Sequence, residues 1–142
     1  MIIPIGIRER TLQELLTLAK ESHPREFAAI LRANSKTKVI TEFLVLPGTL
    51  SSSVSALLRL EMLHADFNLV GTYHSHPSGL PLPSRADLIF FEKFGIVHII
   101  VAYPYDMKSW KAYDFRGNSV HLKVLSEKEY RKLRRKVLCK EE

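Results

Sequence analysis

Two apolar runs of strand length, residues 69–74 and 96–102, stand on either side of a segment with helical signals, and this arrangement most constrains the fold. A strand that reads almost wholly apolar, without polar alternation, is buried on both faces. Helices must then cover the sheet that holds it. Upstream, Leu12, Leu15, Leu16 and Ala19 recur at the i, i+3, i+4, i+7 spacing of an amphipathic helix. Thr11 and Glu14 match a capping box, with Arg8 an alternative start. Pro24 closes this helix, because the residue before a proline resists helical angles.

Residues 27–31 read as a short buried strand, and the β-branched and apolar run 38–46 as its partner. Residues 2–7 read as a short edge strand, where Pro4 is tolerated. Residues 47–55 read as a loop, 54–58 as extended, and 59–67 as ambiguous between helix and turn. A loop stiffened by Pro81 and Pro83 leads to a second helix from Ser84 to about Phe94, stopped by Gly95. Residues 110–115 and 120–124 form an expected hairpin around Arg116-Gly117-Asn118. The expectation is one α/β domain over residues 1–142: a mixed β-sheet flanked by helices.

Composition enters through what it excludes. No run approaches the roughly 18 apolar residues of a membrane span, and the N-terminus lacks the pattern of a secretory signal. The one cysteine, Cys139, excludes an internal disulfide and any multi-cysteine metal site, so a reduced, cytoplasmic setting is expected. The formal net charge is +6, and residues 128–140, with seven basic and one acidic side chain, carry all of it. Within that stretch Tyr130, Leu133 and Val137 recur at helical spacing, which predicts a basic amphipathic helix at about 126–139. Its basic face is read as solvated. Docking of an acidic protein or a nucleic acid is the sharper alternative, which no aromatic interleaving or nucleic-acid motif supports.

The chemistry-bearing stretch is Gly71-Thr72-Tyr73-His74-Ser75-His76-Pro77, followed by Ser84-Arg85-Ala86-Asp87. Alternate residues of an extended segment point to the same side, about 6.6 Å apart. His74 and His76 therefore aim two imidazoles at one point, and Pro77 ends the strand. Asp87 falls in the first turn of the second helix, where the dipole favours a carboxylate. Two histidines and a carboxylate leave a fourth zinc position open, as in catalytic rather than structural sites. Each fragment alone has a plain structural reading, as polar residues at a sheet edge or as an N-cap with an acidic first turn. Joined at this spacing, they point to metal chemistry.

This constellation resembles the signature of the JAMM/MPN-plus zinc metalloproteases: His74-Ser75-His76-Pro77, then Ser84-x-x-Asp87. Pro24-Arg25-Glu26-Phe27-Ala28-Ala29-Ile30-Leu31 resembles the family's upstream glutamate element, with Ala29 where many members have glycine. The resemblance implies the MPN fold with its cytidine-deaminase-like topology, one catalytic zinc ion on His74, His76 and Asp87, Glu26 as general base, and Ser84 as oxyanion donor. It further implies a stand-alone, archaeal-type isopeptidase cutting after the Gly-Gly tail of a ubiquitin-like modifier, with the modifier and its conjugates as partners. Cleavage of sulfur-carrier tails or short peptides is the alternative, and a non-catalytic binding module a second one. A homodimer is common in related domains. A buried apolar setting is also expected to make an idle Glu26 carboxylate costly.

Other candidates carry less. Glu61, His64 and Asp66 read as surface residues, and the serine-rich segment 50–58 as an edge that grips an extended tail. His98 reads as a core histidine, and His23 and His121 have no informative spacing. A nucleoside deaminase would need a Pro-Cys-x-x-Cys element, which a chain with one cysteine lacks.

Overall fold

The computed structural model describes residues 2–46, 67–93 and 95–139. The expectations for residues 47–66, including the Glu61/His64/Asp66 cluster and the serine-rich segment, lie outside the described residues. In chain order the elements are β1 (Gly6–Arg8), α1 (Glu9–Ser22), β2 (Ala28–Ala33), β3 (Val39–Val45) and β4 (Leu69–His76). They continue with α2 (Arg85–Lys93), β5 (Val97–Ala102), β6 (Trp110–Tyr113), β7 (Ser119–Val120), β8 (Lys123–Leu125) and α3 (Glu127–Cys139). Among the described residues the strands form one mixed sheet in the order β7-β6-β5-β4-β2-β3-β1-β8.

The order of the outermost strands dictates the sheet's shape. β7 ends at Val120 and β8 begins at Lys123, yet they occupy opposite ends of an eight-strand sheet. Three residue steps reach at most about 11 Å, whereas eight strands laid flat would hold their edges about 34 Å apart. The sheet must therefore curl until its two edges nearly meet. The concave side wraps α1, whose Leu12, Leu15, Leu16 and Ala19 are buried at the predicted helical spacing. They join Ile7, Ala29, Leu31, Ile40, Tyr73, Ile99 and Val101 in the principal core. Burying an aliphatic side chain of this size stabilises the fold by about 1.5–3 kcal/mol.

Three expectations are corrected here. The N-terminal strand is not an edge: β1 lies between β3 and β8, parallel to both, and Pro4 precedes it. The Thr11–Glu14 capping box does not form, because α1 already starts at Glu9. Thr11 sits inside the helix, where its hydroxyl donates to the carbonyl of Thr41 at 3.1 Å. The expected strand at 120–124 splits in two. Its first part pairs with β6 around the Arg116-Gly117-Asn118 turn, and its second crosses to pair with β1.

The convex face carries α2 and α3. Val39, Leu125 and Tyr130, with Leu133 against them, form a small cluster under α3. Arg8 ties this helix down, pairing with Glu127 at 2.8 Å and placing its guanidinium over the Tyr130 ring. The basic side chains from Lys128 to Lys136 are exposed, as the charge pattern predicts. Farther along the same face, Phe91, Ile100 and Tyr113 form a second small cluster under α2. No helix among the described residues is long and apolar enough to cross a membrane.

Candidate metal centre

β4 runs antiparallel to β2 and parallel to β5, so it is central to the sheet and held on both sides. A Cβ at Gly71 would lie 1.6 Å from the Val97 carbonyl oxygen, so only glycine permits this approach of β4 to β5. At the C-terminal end of β4, His74 and His76 project from the convex face with ring centroids 5.0 Å apart. Ser75, between them, points to the opposite face and is fully buried. Its hydroxyl accepts a hydrogen bond from the Phe27 N–H at 2.8 Å, and its own N–H donates to the Phe27 carbonyl at 2.9 Å. This double link locks the end of β4 to the chain just before β2. Sequence reading passed over Ser75. The available signal was its position: a hydroxyl forced inward between two outward ligands must find a backbone partner.

Asp87 reaches the histidines from α2. Ser84 and Asp87 form a reciprocal capping box: the Asp87 N–H donates to the Ser84 hydroxyl at 3.1 Å, and the Ser84 N–H donates to Asp87 Oδ2 at 2.8 Å. The aspartate, one methylene shorter than the usual glutamate, still closes the box, and this fixes its carboxylate beside the rings. Asp87 Oδ1 lies 3.2 Å from His74 Nε2, and Oδ2 lies 3.3 Å from His76 Nε2. One ligand atom from each residue falls within 4.8 Å of the others.

Electrostatics follow from this crowding. Burial opposes ionisation of Asp87, but its contacts with His74 and His76 and the Ser84 N–H outweigh it and hold the carboxyl far below the usual carboxylate range. For His76, the Asp87 carboxylate raises the pKa over the opposing effect of burial, with the Leu80 carbonyl and Glu26 adding to it. The Leu80 carbonyl, 3.4 Å from His76 Nδ1, can only accept, so in a neutral, metal-holding ring Nδ1 would carry the proton and Nε2 would turn its lone pair to the ion.

The donor set fits one zinc ion. Ligand atoms about 2.0–2.1 Å from a tetrahedral zinc lie roughly 3.3 Å from one another, which is the spacing of the carboxylate oxygens from the imidazole nitrogens. His74 Nε2 is buried and, despite its nearness to Asp87, makes no properly directed hydrogen bond. An orphaned buried nitrogen costs about 1–3 kcal/mol, and a cation at the convergence point would relieve it.

Glu26 sits beside this centre, but not as expected. It is exposed and precedes β2, so the argument from the cost of burying its carboxylate does not apply. Register places it instead. Ala28 pairs with His74 and Phe27 with Ser75, so Glu26 falls opposite His76, and strand alternation puts it on the side of the two imidazoles. Its charge raises the His76 pKa, which agrees with that placement. Ala29, at the position of the missing glycine, is fully buried.

The remaining candidate histidines are placed as follows. His98 is fully buried on β5 with Nδ1 2.7 Å from the Thr72 hydroxyl. His23 pairs with the Tyr105 hydroxyl at 2.7 Å, and His121 is exposed.

A model of the prokaryotic homologues of the JAB domain matches residues 8–113, which include the whole of this site. The chain belongs to the JAMM/MPN family. It is 38% identical over 129 residues to a probable metalloprotease of Haloferax volcanii, across 85% of this chain and 80% of that protein. A JAB1/MPN domain protein from Archaeoglobus fulgidus superposes with a TM-score of 0.68 at 39% identity, covering 84% of this chain and 97% of that one. A structure described as a metalloprotease-like JAMM zinc site in the proteasome and signalosome gives 0.68 at 38% identity, with coverage of 87% and 99%. The mixed sheet with flanking helices is thus the fold of this family, and the His74–His76–Asp87 cluster is compatible with a single zinc ion.

Proposed function

We propose that this JAMM/MPN protein is an isopeptidase that hydrolyses the bond after the C-terminal Gly-Gly of a ubiquitin-like modifier. The observation that carries the reading is the convergence of His74, His76 and Asp87 beside Glu26. Three ligand side chains leave room for water and a scissile carbonyl at a fourth position. Zinc, when bound, supplies Lewis acidity that lowers the pKa of water and polarises a carbonyl.

The chain's own groups do the rest. His74, His76 and Asp87 hold the ion. Glu26 accepts a proton from the attacking water at its carboxylate and delivers it to the departing amine. Its exposure suits this task, because a carboxylate that must reach both water and substrate cannot be sealed in the core. The Ser84 hydroxyl accepts from the Asp87 N–H through a lone pair, which leaves its proton free to stabilise the developing oxyanion. One residue therefore caps a helix and faces the reaction. The reading extends to a reducing, cytoplasmic setting, in which the exposed Cys139 has no disulfide to make.

Glu26→Gln is the decisive variant. It should retain zinc and melting temperature while lowering cleavage of a Gly-Gly modifier linked to lysine by about 100–10,000-fold. A variant with full turnover would refute the assigned base. Running the same assay on a modifier fused to cysteine, with and without chelator, separates isopeptide from sulfur-carrier preference.

A further inference from the structure

α2 carries Asp87, at once Ser84's capping partner and the third metal ligand, yet it is nine residues long and isolated from the principal core. Something else must hold it in place. Phe91 lies one helical turn beyond Asp87, on the same side of α2, and its ring is fully buried. It stacks on His98 with centroids 4.1 Å apart and planes 10° from parallel. It also meets Tyr113, the cross-strand partner of His98, at 6.4 Å and 25°. The Phe91 ring also lies 6.3 Å from that of His74.

His98 and Tyr113 are each tied elsewhere. His98 Nδ1 pairs with the hydroxyl of Thr72, two residues before His74 on the same face of β4. The Phe91 and Gly95 carbonyls, at the end of α2, lie near enough to favour a charged ring, although neither makes a directed hydrogen bond to Nε2. The Tyr113 hydroxyl donates to the Pro81 carbonyl at 2.6 Å, which fixes the loop joining His76 to Ser84. The stack therefore grips both ends of the segment that delivers Asp87: the loop through Tyr113 and the helix through Phe91.

We propose that His98, Phe91 and Tyr113 form a positioning unit that sets Asp87 against His74 and His76, with His98 acting through its flat ring rather than as a ligand or proton carrier. The inference rests on the metal reading of the trio but not on the substrate. Small displacements matter here, because groups supporting a metal's ligands typically change affinity about 10–100-fold when removed.

The test uses full-length protein and reads the metal directly. Zinc affinity is measured by competition with a chromophoric chelator, and ligand geometry by the visible absorption of the cobalt-loaded protein. His98→Ala should weaken zinc at least tenfold and shift the cobalt bands. His98→Phe, which restores a stacking ring but not the hydrogen bond, should recover most of the affinity, and Thr72→Val should change it less than threefold. Tyr113→Phe keeps the ring and releases only Pro81; it should alter the cobalt spectrum with little change in melting temperature. Should His98→Ala fail to fold, His98→Phe and Thr72→Val, together with Tyr113→Phe, still decide. Folded His98→Ala with native zinc affinity and cobalt bands would overturn the proposal. So would loss in Thr72→Val matched by no rescue in His98→Phe, or a Tyr113→Phe spectrum identical to the parent's. Wild-type protein that binds neither metal at the trio would instead sink the metal reading itself.

Discussion

The two faces of the curled sheet are built differently. On the concave side, nineteen buried residues among those described form one continuous cluster around α1, and all are aliphatic or aromatic. On the convex side, among the described residues, two small clusters of three buried apolar residues lie one under each helix. The His74–His76–Asp87 trio lies on the convex side, and so do the buried nitrogens of His74 and His98 that lack directed partners. The difference teaches where this protein keeps its stability and where it tolerates unsatisfied polar groups. A large core stabilises the sheet from one side, so the other can hold convergent, electrostatically strained side chains at the end of a strand that is fixed on both edges.

That contrast can be broken from either side. The largest effect should come from the concave face. Leu15→Ala removes a fully buried side chain in the middle of α1 and should cost about 2–5 kcal/mol of stability. Denaturant titration would show it, and zinc affinity per folded molecule should not change. Ser84→Ala probes the convex face and should do the reverse. Turnover should fall about 100–1,000-fold as an oxyanion donor is lost, while losing the cap lowers stability by only about 1 kcal/mol. Comparable drops in turnover and in melting temperature would mean that Ser84 serves the helix alone.

A third effect concerns pH. Burial, with His74 nearby, lowers the His98 pKa from its ordinary value to about 3. The unfolded chain therefore takes up this proton first, and His98's contribution to stability is complete above about pH 6.5 and lost as pH falls toward 3. Its steepest slope is about 1.4 kcal/mol per pH unit. Denaturation midpoints from pH 7 to 4 should fall more steeply for the wild type than for His98→Phe. Parallel curves would show that His98 becomes protonated in the folded state without penalty.

Much of the site was legible in the chain. The alternation of His74 and His76 needed only an extended strand, and the Ser84–Asp87 spacing needed only a helix start; both are local geometry, readable within a few residues. Helix α1 announced itself through its leucine spacing and α3 through Tyr130 and Leu133. The capping box at Thr11 misled because a local pattern can be overridden: Arg8 and Glu9 were already drawn into the junction with β1, leaving Thr11 inside the helix. The supporting groups were hidden for another reason. Ser75 pairs with Phe27, and Thr72 with His98, and no periodicity encodes partners so far apart.

The amino-acid order by itself determined that His74, His76 and Asp87 converge, because strand alternation and the helical first turn fix directions over short spans. Only the tertiary structure decided that β1 is interior, that residues 119–125 divide between opposite edges of the sheet, and that Glu26 stands exposed opposite His76. Those outcomes depend on which strands meet, and pairing across the chain is settled by closing the sheet around α1 so that every apolar face finds a neighbour.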